Sequence, residues 1–173
     1  MRLFGVPFTV DPADVDESVL LGEPADALVV RLATDKARTV AARTAAGAVI
    51  IGADTVVVVD GDVFGKPCDD DGARRMLRRL SGRSHQVMTG VAVLSENGAA
   101  TAVEQTTVTF AELTSADIDW YLASGDHMDK AGAYGVQSVA GVFITRLEGS
   151  FTNVVGLPLT TLRPMLLTTA LRR

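Results

Sequence analysis

Residues 49–59 read Val-Ile-Ile-Gly-Ala-Asp-Thr-Val-Val-Val-Val, an almost unbroken apolar and β-branched run with one charge, Asp54, inside it. Gly47 bounds the run on one side and the turn pair Asp60-Gly61 on the other. Such a segment predicts a strand buried on both faces, so a sheet with covering layers is required. A carboxylate in that setting must be paired, metal-bound or functional, because burying an unpaired charge costs several kcal/mol at least. An aspartate that caps a neighbouring loop would meet the same requirement, and the strand alone leaves both readings open.

The rest of the chain supplies those layers. Residues 25–46 hold no Gly or Pro and place Leu28, Arg31, Leu32, Asp35, Lys36, Thr39 and Val40 at helical spacing. They predict a helix carrying Lys36 and stopping at Gly47. Residues 7–10 read as a short strand, followed by an acidic turn through Asp11, Asp14, Asp16 and Glu17. Asp70 and Asp71 open a second helix, with Ala73, Met76, Leu77 and Leu80 on one face. Residues 85–94 and 102–110 read as strands joined through Asn97-Gly98, a strong hairpin signal. Ser115 is expected to cap a helix over 116–123. A Gly-rich loop over 125–141, a strand over 142–147, a loop over 149–156 and a helix over 159–171 complete the chain. Early alternation of strands and helices with a mid-chain hairpin predicts an α/β fold, a mixed twisted sheet flanked by helices.

Composition narrows the function. The 173 residues fit a single domain. A net charge of -5 argues against broad nucleic-acid binding, which needs a basic surface. A small phosphorylated ligand needs only a few lysines in one place. Cys68 is the sole cysteine, so an intrachain disulfide is excluded and a zinc cluster lacks ligands. No apolar run approaches about eighteen residues, so a soluble cytoplasmic protein with no membrane partner is expected.

Several residues can carry chemistry. Lys66 stands between Gly65 and Pro67 in a rigid turn soon after the Asp54 strand, where a positive charge beside a carboxylate can hold phosphate and metal. Lys36 on its helix and Glu17 in the acidic turn can add a cation and a second metal oxygen; solvated surface roles fit each of the three as well. His85 reads as a hydrogen-bonded structural histidine, and His127 has no evident partner. The acidic neighbours of Cys68 disfavour a nucleophilic thiolate. Residues 130–137 set small residues around Lys130, Tyr134 and Gln137, whose amide can read a base edge through donor and acceptor together. Two lysines, two carboxylates and this loop suggest a phosphorylated ligand with a metal.

Taken together, ordered strings resemble the Maf (septum-formation) family of nucleotide pyrophosphatases. They are Gly52 to Val57, Gly65-Lys66-Pro67, Leu80-Ser81-Gly82, His85 with Thr89-Gly90, Asp129 to Gln137, Glu148-Gly149-Ser150 and Asn153 to Leu159. The resemblance implies a two-lobed fold like that of inosine-triphosphate pyrophosphatases, with the nucleotide in a cleft. It implies Asp54 as catalytic base and metal-linked carboxylate, and Glu17 as a second holder of a Mg²⁺ or Mn²⁺ cofactor. Lys36 and Lys66 would contact phosphates, and Thr55 and Gln137 would set base selectivity. The Tyr-Gly-Val-Gln form of the loop resembles the subfamily acting on dTTP and UTP. Its expected products are the monophosphate and pyrophosphate.

A small-molecule nucleotide is thus the expected partner, and a homodimer the compatible assembly. Family members begin with a strand and a Ser-x-Ser-x-Arg-Arg loop leading into a helix. This chain opens at Met1 with what resembles the end of that helix, so the strand and phosphate loop are expected to be missing from it. The alternatives are a non-catalytic nucleotide-binding or division-associated protein, and a pyrophosphatase of the same fold acting on 7-methyl-GTP or ITP.

Overall fold

The run around Asp54 is a strand, β1 (Ile50–Val59), preceded by helix α1 (Ala25–Ala41). The computed structural model describes residue 1 and residues 5–169. After β1 come β2 (Asp62–Phe64), α2 (Asp70–Leu80), β3 (Ser84–Ser95), β4 (Gly98–Phe110), α3 (Ser115–Leu122), β5 (Ile144–Glu148), α4 (Phe151–Val154) and α5 (Leu159–Thr169). The strands form one five-stranded sheet in the order β2-β1-β3-β4-β5. β1 and β2 are antiparallel, with Val57 opposite Phe64 and Val59 opposite Asp62. Asp60 and Gly61 both take positive φ, 53° and 85°, the backbone that a tight hairpin turn needs. β4 and β5 are also antiparallel, from Thr107 opposite Glu148 to Phe110 opposite Ile144. The expected α/β fold, a sheet flanked by helices, is present.

The chain gathers into two compact units, one from Met1–Asp54, Gly90–Val103 and Leu159–Arg173, the other from Thr55–Thr89 and Glu104–Pro158. In the first, Leu28, Val29, Leu32, Ala33 and Ala37 form the buried face of α1. Two glycines set how closely that face lies on the strands. A Cβ on Gly52 would overlap the carbonyl oxygen of Ala33 and come within 2.9 Å of the Ala37 nitrogen. A Cβ on Gly90 would overlap the Val29 carbonyl. Backbone therefore lies directly on backbone at both places, with Ala33, Ala37 and Ala92 packed beside them.

The second unit holds the larger core. Val57, Val59, Leu77, Leu80, Val87, Val108, Phe110, Tyr121 and Phe143 meet in one buried cluster. Phe110 packs edge-on to Tyr134 with centroids 4.8 Å apart. The amphipathic spacing of α2 places Ala73, Leu77 and Leu80 inward, as the sequence predicts. Asp69 caps this helix by accepting from the Gly72 N–H.

Several boundaries differ from the sequence reading. Residues 7–10 form no strand; they are exposed, and a strand without a ladder partner has nothing to stabilise it. Helix α1 stops at Ala41 rather than at residue 46, because residues 42–46 are exposed and bury no apolar face. Thr114, not Ser115, caps α3, exchanging hydrogen bonds with Asp117 in a capping box. The expected strand at residue 142 starts at Ile144, since Val139–Phe143 is a 3₁₀ turn capped by Ser138. The expected loop 149–156 contains α4, capped by Ser150. The expected helix end at Leu171 lies outside the described residues. Among the described residues, no helix is long and apolar enough to cross a membrane.

The contact at Gly52 carries a stability prediction. Gly52→Ala puts a methyl group into the α1 backbone and should destabilise the fold by about 1–3 kcal/mol or more. Urea unfolding measures this; a stability equal to wild type would show that α1 can lift without cost.

Candidate active site

The tight seating of α1 brings the first group of predicted residues together. Asp54 lies two residues after Gly52, on the same face of β1. Lys36 immediately precedes Ala37, which packs on Gly52. The Lys36 Nζ consequently reaches Asp54 and donates to its Oδ1 at 2.5 Å. The same Nζ meets Glu17 Oε1 at 2.6 Å. Glu17 is held near α1 by its neighbours: Arg31 donates to the Ser18 carbonyl at 2.9 Å and to Glu23 Oε1 at 2.7 Å. Farther along, Arg43 anchors Asp11 through two hydrogen bonds. The acidic turn is therefore held at two points, by Arg31 on α1 and by Arg43 in the turn just after it.

Lys36 and Asp54 are largely buried, their side chains 19% and 10% exposed. Burial pushes the Lys36 ammonium down, but hydrogen bonds and charge attraction from Asp54 and Glu17 outweigh it, and its pKa is raised. Two carboxylates thus converge on one cationic point. Among the described residues no set of three or more His, Cys, Asp or Glu gathers as a metal cage. Two hard oxygen donors suit an ion such as Mg²⁺, which keeps most of its coordination sphere for water and phosphate.

The other predicted residues lie in the second unit. Thr55 is half-buried and its hydroxyl is 2.9 Å from that of Thr89. Lys66 is exposed in the loop after β2. The Gly65 carbonyl beside it accepts from the Gly132 N–H at 3.0 Å, which joins the lysine loop to the Gly-rich loop. Gly132 has φ 67°, and a Cβ there would come within 2.8 Å of Val57 Cγ2, so the loop lies flat on β1. Gln137, farther along the same loop, is exposed. Lys130 is committed to Asp126 at 2.9 Å and Asp129 at 2.7 Å.

The histidines have structural partners. His85 Nε2 and the Tyr134 hydroxyl are 2.7 Å apart, both buried. His127, without an evident partner in the sequence, sits 2.9 Å from Asp70 Oδ1 at the start of α2. Thr89 and Asn153 occur in the sequence strings above, yet sequence reasoning gave them no role. Their complete burial is the signal: a buried polar side chain must find a partner.

With this geometry in place, comparison with known proteins decides the family. The model for Maf-like proteins matches residues 1–169. The chain belongs to the Maf family. A dTTP/UTP pyrophosphatase of Symbiobacterium thermophilum is 50% identical over 159 residues, covering 92% of this chain and 81% of the relative. A dTTP/UTP pyrophosphatase of an Anaeromyxobacter species is 51% identical over 160 residues, 90% of this chain and 76% of the relative.

In this Maf protein, His85 carries a pH prediction. Burial holds its pKa at about 4, below the ordinary 6.5. The unfolded chain therefore binds a proton that the folded one refuses. The contribution of neutral His85 is full above pH 6.5 and lost as pH falls toward about 4, about 3 kcal/mol in total. Urea unfolding across that range should show a steeper loss of stability in wild type than in His85→Phe. Equal slopes would mean that His85 titrates normally in the fold.

Proposed function

We propose that this Maf protein is a nucleoside-triphosphate pyrophosphatase that hydrolyses dTTP and UTP to the monophosphate and pyrophosphate. The observation that carries the reading is the cluster of Glu17, Lys36 and Asp54, in a chain about half identical to relatives that bear that name.

Asp54 is the base. Its carboxylate takes a proton from a water whose oxygen attacks the α-phosphorus. The bond from the α-phosphorus to the bridging oxygen breaks, and that oxygen leaves with the pyrophosphate. Lys36 keeps Asp54 oriented and presents positive charge to phosphate oxygens. Lys66, exposed on its turn, adds a second positive charge to the triphosphate. Thr55 and Gln137 meet the base. Glu17 and Asp54 fit as the protein ligands of Mg²⁺ or Mn²⁺. When bound, that ion lowers the pKa of a water and screens the triphosphate. A cytoplasmic setting fits a nucleoside-triphosphate substrate.

A panel of dTTP, UTP, CTP, GTP, ATP and 7-methyl-GTP with Mg²⁺, separated by chromatography, tests the reading. dTTP and UTP should be consumed fastest, with monophosphate and pyrophosphate as products. EDTA should abolish turnover, and Asp54→Asn should lower kcat by about a hundredfold or more. A purine preference, a diphosphate product or full activity in EDTA would each refute the corresponding part.

A further inference from the structure

The Thr55 hydroxyl belongs to a polar chain whose protons can be counted. Thr55 Oγ1 and Thr89 Oγ1 are 2.9 Å apart, on β1 and β3. Thr89 Oγ1 lies 3.1 Å from the backbone carbonyl oxygen of Asn153 in α4. A carbonyl oxygen can only accept, and fully buried Thr89 has one hydroxyl proton to give. Turned toward Thr55, that proton would leave two buried acceptors facing each other, which is costly. Thr89 therefore donates to Asn153 and accepts from Thr55.

The Asn153 carbonyl is itself fixed. Its side-chain Nδ2 donates to the Val87 carbonyl at 3.0 Å and to Thr106 Oγ1 at 2.9 Å. Those bonds tie α4 to β3 and β4. With its own proton committed to Thr89, Thr55 offers only lone pairs to anything else. Gly156, with φ 100°, lies beside it: a Cβ there would stand 3.4 Å from Thr55 Oγ1, in contact with the hydroxyl.

We propose that Thr89 is a positioning residue that makes Thr55 a pure hydrogen-bond acceptor, and that this selects uracil and thymine rings against cytosine. The inference rests on the pyrophosphatase reading above, which has Thr55 meet the base. Uracil and thymine carry a hydrogen on ring N3 that Thr55 can accept. Cytosine has a lone pair there, so two acceptors would meet. A site built for a donor rejects a ligand that lacks it, because its own buried group is left unpaired.

The test is kcat/KM for UTP and CTP in wild type, Thr89→Val and Thr89→Ser. Valine keeps the shape but removes the acceptor, freeing the Thr55 proton to turn toward cytosine N3. The UTP-to-CTP ratio should fall by about tenfold or more in Thr89→Val and return in Thr89→Ser. Equal losses on both substrates, or an unchanged ratio, would reduce Thr89 to a packing role and overturn the proposal. Wild type inactive on both would instead overturn the pyrophosphatase reading. Neutron diffraction of the wild-type protein tests the relay without any variant: the Thr89 hydrogen should point at Asn153, and one pointing at Thr55 would refute it.

Discussion

The seating of α1 on Gly52 and Gly90 is the contact from which the rest of the first unit follows. Because no Cβ stands between them, the helix backbone rests on the strand backbone, and its small residues Ala33 and Ala37 fill the remaining space. That proximity lets a lysine on the helix reach an aspartate on the strand. An alanine at either glycine would hold the helix off and lengthen the Lys36–Asp54 distance. The acidic turn is then fastened to the same helix by Arg31, so Glu17 also reaches the Lys36 ammonium. Three residues distant in sequence meet because one helix is close.

The second unit solves a different problem, how to place polar groups in an interior dominated by Val, Leu and aromatic rings. It does so with short hydrogen-bond chains. Thr89 and Asn153 tie α4 to the sheet, His85 holds Tyr134, and Gly65 holds Gly132. Each chain fixes a segment next to a residue proposed to touch substrate. Precision at Thr55, Lys66 and Gln137 therefore depends on the backbone and side-chain groups behind them.

Much of this was legible in the sequence. The lone carboxylate in an apolar strand marked Asp54, because burying a charge demands a partner; the partner turned out to be Lys36, already singled out on its helix. Strand β1, helix α2 and the Asn97-Gly98 hairpin follow from periodicity and turn chemistry. Less legible were features set by tertiary contact. The end of α1, the 3₁₀ turn before β5 and the short helix α4 depend on what each segment packs against. The roles of Thr89 and His127 could not be read either, since a threonine in a β-branched strand fits propensity alone, and Asp70 is 57 residues from His127.

The central claim is that Lys36 is a buried cation held charged by Asp54 and Glu17. Titration of the lysine ammonium groups by ¹⁵N NMR tests it directly. In the native protein Lys36 should titrate above the ordinary lysine value of 10.5, because its carboxylate partners outweigh burial. In Asp54→Asn, with one partner charge gone, its pKa should move down. A Lys36 that titrates at or below 10.5 in the native protein, or that does not respond to Asp54→Asn, would contradict the account.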